Sequence, residues 1–141
     1  MSQRLGNFAA PGSLLKGSVK DRLKKKDVAQ HDRPGNDDAY LALLRQMPCC
    51  ITLRMPGGEC HHLKQGTGER GAGLRSTDRW AVPISHEPHM DCEKQGSRNE
   101  HTWFAKHGIA DPLGLANALW HAPRDLPTLI KILLAHREPH P

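Results

Sequence analysis

CHHLKQGTGERGAGLRSTDRWAVPISHEPHMDCEKQG, residues 60–96, is the stretch whose reading decides the fold. Cys60-His61-His62-Leu63 reads as a short strand leaving a turn. Lys64 to Arg75 is a loop in which Gly66, Gly68, Gly71 and Gly73 alternate with polar and basic residues, Arg70 among them. Trp80-Ala81-Val82-Pro83-Ile84 reads as a second, apolar strand. Ser85 suits a helix N-cap, and Pro88 is tolerated in the first turn because the amide it lacks has no partner there. The helix is predicted to run to about Gln95 and to stop at Gly96. Two strands and one helix around a histidine cluster make a ββα-metal unit. The expected fold class is α+β: a small ββα-metal core with flanking helices.

Upstream, Asp37-Asp38 suits a helix N-terminus, where acidic groups face the positive end of the helix dipole. Tyr40, Leu41, Leu43, Leu44 and Met47 follow at helical spacing, and Pro48 ends the helix. Cys49 to Cys60 reads as a turn or short hairpin around Met55-Pro56-Gly57-Gly58. Downstream, helices are predicted from about Asn99 to His107, from Asp111-Pro112 with Leu115, Ala118, Leu119 and Trp120 on one face, and from about Leu126 to His136. Aromatic residues make up only 4% of the chain, so Trp80 and Trp103 are expected inside as core anchors.

The 141 residues suffice for one domain and a tail. With 37% hydrophobic residues, 13 Gly and 11 Pro, the domain should be loop-rich and helped by a metal. Residues 1–26 carry seven basic side chains against Asp21 alone, a net +6, whereas the rest of the chain nets −1. The basic character therefore sits in an arm, with Lys24, Lys25 and Lys26 at its densest point, and such arms bind polyanions by counterion release. The organisation expected is a flexible basic arm over 1–36, a metal-dependent domain over 37–121, and a C-terminal helix and tail over 122–141. No apolar run approaches a membrane span and no secretory signal is seen, so a cytoplasmic protein is expected. Cys49, Cys50, Cys60 and Cys92 are then expected as free thiols or metal ligands, with Cys92 a small buried side chain.

Phosphodiester hydrolysis needs a general base, a cation for the charge that develops at phosphorus, and groups that position the backbone. A neutral imidazole accepts a proton near pH 7, which suits His62. Its neighbour His61 falls on the opposite face of a regular strand, so a shared site calls for a twist, a bulge or a displacement. His89 and Glu93, four apart on the predicted helix, share a face and can hold one divalent ion, Mg²⁺, Mn²⁺ or Zn²⁺. Lys64, Arg70 and Arg75 in the glycine-rich loop are the candidate phosphate contacts. His86 is expected at the exposed helix start.

Pro48-Cys49-Cys50, His61-His62, the glycine-rich loop, Ser76 to Ile84, His86-Glu87-Pro88-His89, Glu93, Gly96, and the blocks Trp103 to Ile109 and Leu119-Trp120 together resemble HNH endonucleases. The likeness is to the phage and prophage type, akin to Ref-like RecA-dependent nucleases and DUF968-like phage proteins, over roughly Arg33 to Trp120. The resemblance implies that His61 is a metal ligand, His62 the general base, and His89 a second ligand. Glu93 stands where a further histidine is common, and Asp78 takes the bracing role usually held by Asn. The Cys-x-x-Cys pairs of a structural zinc are missing: Thr52 lies three after Cys49, and Ser85 stands where a cysteine is expected. A second, structural Zn²⁺ from Cys49, Cys60, Cys92 or His86 is left open, because the spacing specifies none.

The expected function is metal-dependent endonucleolytic cleavage of DNA in phage or prophage recombination, in the bacterial host cytoplasm, with DNA and a recombinase filament such as RecA as partners. A second expectation is a DNA-binding, metal-stabilised module that has lost catalysis. A third is a small zinc protein that binds a protein partner.

Overall fold

A computed structural model of the chain describes residues 33–69 and 75–138. Lys24, Lys25, Lys26, Arg70 and nearly all of the basic arm lie outside the described residues. The described residues from Pro34 onward form one compact unit.

Helix α1 (Asp38–Gln46) begins where the sequence places it. The Asp37 carboxylate accepts the Tyr40 amide at 3.1 Å, satisfying one of the amide donors left over at a helix start. Tyr40, Leu41 and Leu44 form its buried stripe. Gly35 and Asn36, assigned to the arm by composition, already belong to the folded unit. The Gly35 carbonyl accepts the Arg79 amide at 2.9 Å, and the Asn36 side chain accepts the Asp78 amide at 2.9 Å.

Strand β1 (Glu59–His62) pairs antiparallel with β2 (Ala81–Ile84) in a two-stranded sheet, with Glu59 opposite Ile84 and His62 opposite Ala81. The expected first strand is shifted by one residue, although the Leu63 amide still reaches the Trp80 carbonyl at 3.0 Å. Trp80 is not in β2. It ends a 3₁₀ turn over Asp78–Trp80, closed by its amide on the Thr77 carbonyl at 3.0 Å. Residues 49–58 are turns without a strand, stitched by the Cys49 amide to the Arg54 carbonyl (2.9 Å) and the Gly57 amide to the Met47 carbonyl (2.7 Å).

Helix α2 (His86–Gln95) ends at Gly96, whose φ of 79° is a left-handed value that glycine adopts without a Cβ clash. Ser85 occupies the N-cap position but does not cap with its side chain. Its hydroxyl donates to Cys49 Sγ at 3.3 Å instead, because the buried sulfur lies within reach. A 3₁₀ turn over Ser97–Asn99 leads into α3 (Glu100–Lys106). Helices α4 (Pro112–His121) and α5 (Leu126–His136) are capped by Asp111 and Asp125, whose carboxylates accept the Gly114 and Thr128 amides.

All five helices among the described residues reach one core. It holds Leu44 and Met47 from the first helical segment, Val82 and Ile84 from β2, Cys92 from α2, Phe104 from α3, Leu119 from α4, and Leu129 and Leu133 from α5. Trp103 is buried, and its indole N–H donates to Asp91 at 2.7 Å, joining α3 to α2. Trp80 is half-buried against the same core. Helix α5 belongs to this core through Leu129 and Leu133. Arg137 donates to the carbonyls of Cys50 (2.5 Å) and Ile51 (2.9 Å), closing the end of α5 onto the turn after α1. The result is a small α+β arrangement. Among the described residues no helix is long and apolar enough to cross a membrane.

Leu119→Ala at a fully buried position on α4 should lower stability by about 3 kcal/mol through lost burial and a residual cavity. The check is the urea midpoint at unchanged slope; a loss under about 1 kcal/mol would show that α4 does not close the core.

Candidate metal centre

Strand alternation separates the two adjacent histidines. Glu59 and His61 reach residues of α2, whereas Cys60 and His62 reach the opposite side, where Cys60 Sγ meets the Leu41 carbonyl and His62 meets Asp78. The β1–β2 register runs through without a bulge. Both rings nevertheless border one cleft of about 240 Å³, lined by Cys60, His61, His62, Lys64, Arg75, Ser76, His89 and Glu93. Among the described residues β1 pairs with β2 alone, and groups from both faces of β1 line the same opening.

His61 is buried, and its Nε2 lies 2.7 Å from Glu100 Oε2. The other oxygen of Glu100 accepts the amides of Lys64 (2.8 Å) and Gln65 (2.9 Å). Burial opposes charge on this carboxyl, yet the bond from His61 and the two amides outweigh it and hold Glu100 below the usual carboxylate range. An ionised carboxylate cannot donate, so Nε2 of His61 carries a proton, and in the neutral form of the ring Nδ1 is the atom with the lone pair. That Nδ1 is buried with no hydrogen-bond partner.

His89 repeats the pattern in reverse. Its Nδ1 lies 2.8 Å from Glu59 Oε1, while His86 Nδ1 lies 2.9 Å from Glu59 Oε2. The bonds from His89 and His86 lower the Glu59 pKa. With Nδ1 engaged, Nε2 of His89 is its remaining donor atom. The His61 and His89 rings meet edge to face at 5.2 Å between centroids. One potential ligand atom from each of His61, His89 and Glu93 lies within 4.8 Å of the others. The donor set is two imidazoles and a carboxylate, and each imidazole has a carboxylate behind it. A metal-binding histidine is commonly oriented in this way. The orphaned Nδ1 of His61 and this donor set fit a divalent ion.

His62 lies at the cleft with its Nε2 2.8 Å from Asp78 Oδ1. Asp78 is buried and also accepts the Asp37 amide at 2.8 Å, with Arg75 3.6 Å away. Burial would raise its pKa, but the bonds from His62 and Asp37 and the charge of Arg75 lower it on balance. Asp78 thus fixes the His62 ring, the place in the structure of the residue read as a brace.

Glu93 does not face an empty cleft. Lys64 Nζ donates to both of its oxygens, one at 2.8 Å and the other in a shorter contact. Burial opposes charge there too, but Lys64 keeps the Glu93 pKa low. Lys64, read from sequence as a phosphate contact, is therefore paired with a candidate ligand. Arg75 borders the cleft beside Asp78.

His61, Cys92 and Glu100 form a second, wholly buried group of potential ligands, with Cys92 Sγ 3.8 Å from His61 Nε2. Burial, with Glu100 and Glu93 nearby, pushes the Cys92 thiol up to about 12, and Glu100 already accepts three hydrogen bonds. We read this group as support behind His61. All four cysteines are free thiols. Among the described residues no group of three ligand atoms includes Cys49, Cys60 or His86. Where a zinc pair was looked for, Cys49 Sγ instead accepts from Ile51, Thr52 and Ser85.

Sequence reasoning missed Glu59 and Glu100. Glu59 stands two before His61 on the same strand face, a local signal. Glu100 lies 39 residues from its histidine, in the first turn of another helix, and carries no local signal.

The protein-family comparison matches residues 30–119 to "Protein of unknown function (DUF968)". No curated protein and no solved structure matches the chain. Because the match covers well over half of the sequence, including both strands and the whole histidine cluster, the chain belongs to the DUF968 family.

Glu100→Ala should destabilise the fold by about 3 kcal/mol, because it leaves two amides and a buried imidazole without a partner. Asp78 and Glu100 have folded-state pKa values below their unfolded values, so they contribute stability above the ordinary carboxylate pKa that is lost as pH falls through the folded values. Urea stability should therefore drop below roughly pH 5, and Glu100→Gln should flatten that drop. An acid limb as steep in Glu100→Gln as in the parent would exclude Glu100 as a source.

Proposed function

We propose that this DUF968 member is a metal-dependent endonuclease of the HNH type that hydrolyses DNA phosphodiester bonds. One observation carries the reading: three imidazoles on one cleft each have a single nitrogen held by a carboxylate, His61 by Glu100, His89 by Glu59 and His62 by Asp78. The remaining nitrogen of each ring is left for chemistry.

His61 Nδ1, His89 Nε2 and Glu93 would hold a divalent ion such as Mg²⁺, Mn²⁺ or Zn²⁺. When bound, such an ion supplies Lewis-acid stabilisation of the negative charge that develops on phosphate oxygens. His62 takes the proton of the attacking water at Nδ1, and the Asp78 carboxylate stabilises the imidazolium that results. The water oxygen adds to phosphorus as one bond from phosphorus to a sugar oxygen breaks, and the leaving oxygen takes a proton from solvent, giving a phosphomonoester and a free hydroxyl. Arg75, at the cleft margin, is placed to meet the phosphate backbone, and the basic N-terminal segment adds affinity that does not depend on base sequence. The recombination setting and a recombinase filament such as RecA belong to the same proposal through the HNH resemblance.

A second reading, a DNA-binding module without catalysis, is favoured by the Lys64–Glu93 pair, since a ligand already engaged by a lysine is a poorer seat for an ion. Plasmid nicking with Mn²⁺ or Mg²⁺ separates the two. The nuclease reading predicts cutting that falls roughly 10²- to 10⁴-fold in His62→Ala and roughly 10- to 100-fold in Asp78→Asn. DNA retention with cutting that does not depend on His62 would leave the module.

A further inference from the structure

We propose that Lys64 is a displaceable internal cation that makes divalent-metal binding and phosphodiester binding at this cleft support each other. The inference rests on the nuclease reading above. Lys64 Nζ donates to both Glu93 oxygens, and its side chain, like that of Glu93, remains about one-third exposed. Both residues border the same cleft as His61, His62 and His89. A metal ion drawing on Glu93 therefore competes with the ammonium for the same two oxygens.

The backbone of Lys64 is anchored separately from its head group. Its amide donates to Glu100 Oε1 at 2.8 Å, so the carboxylate that orients His61 also fixes where the lysine stem starts. Four side-chain torsions then let the ammonium swing without moving the strand end. A lysine that leaves Glu93 remains at the cleft, where the complementary partner for a compact cation is a non-bridging oxygen of a phosphodiester. With no phosphate present, ion binding must expel the ammonium into solvent beside a second cation. With phosphate present, the ammonium has an anionic partner, and Glu93 is released to the ion. Reciprocity requires the metal to raise phosphodiester affinity by the same factor. No bond is made or broken in this exchange.

The test follows Mn²⁺ binding by the loss of the free-ion electron paramagnetic resonance signal, in full-length protein carrying His62→Ala so that DNA survives. Mn²⁺ affinity should rise roughly tenfold with a saturating short DNA duplex. Adding Lys64→Met or Lys64→Gln should tighten Mn²⁺ without DNA and remove the further gain from the duplex. Thermal melts of both variants check that they fold. Equal coupling with and without Lys64, or weaker Mn²⁺ binding by the DNA-free Lys64 variants, overturns the inference and leaves the nuclease reading standing. Mn²⁺ binding that is indifferent to His89→Ala and Glu93→Gln, or a duplex that does not bind, overturns the nuclease reading and the coupling with it.

Discussion

The structure around the cleft depends on one buried carboxylate. Glu100 accepts from His61 at 2.7 Å and from the amides of Lys64 and Gln65 at 2.8 and 2.9 Å. A carboxylate taken out of water without partners is prohibitively costly, and three donors make its burial tolerable. Those donors all come from the end of β1 and the residues just after it, while Glu100 opens α3. A single side chain therefore pins a strand end to a helix, sets the tautomer of His61, and fixes the backbone from which Lys64 reaches Glu93.

The same logic recurs at lower burial. Glu59 holds the first turn of α2 to β1 through His86 and His89, and Asp78 holds His62 while the Asp37 amide and the Asn36 side chain hold Asp78. Each pairing takes away one nitrogen of an imidazole and leaves the other. A ring with one fixed N–H, when neutral, can ligate a cation or accept a proton, and the proposed function uses two rings of the cleft in the first way and one in the second. In the proposed function the carboxylates matter as much as the histidines they orient.

Much of the fold was legible because its signals are local. Asp37 and Asp111 each cap the helix that follows, apolar stripes such as Tyr40, Leu41 and Leu44 mark buried faces, and Gly96 stops α2 through its positive φ. His61, His62, His89, Glu93 and Asp78 were singled out in the sequence, and the structure brings His61, His62, His89 and Glu93 to one cleft with Asp78 bound to His62. What escaped depends on distance along the chain. Glu100 meets His61 across 39 residues, and Lys64 meets Glu93 across 29, pairings that strand spacing and helix spacing do not encode. Ser85 misled for a related reason: its type and position mark an N-cap, but a sulfur 36 residues away takes its hydroxyl.

The proposed metal centre turns on which nitrogen of His61 serves an ion. The most direct measurement is anomalous diffraction from crystals of the full-length protein soaked in Mn²⁺. One peak is expected among His61 Nδ1, His89 Nε2 and Glu93, with the His61–Glu100 hydrogen bond intact and Lys64 drawn away from Glu93. A peak on the other side of the ring, among His61 Nε2, Cys92 and Glu100, or no peak at the cleft at saturating Mn²⁺, would contradict it.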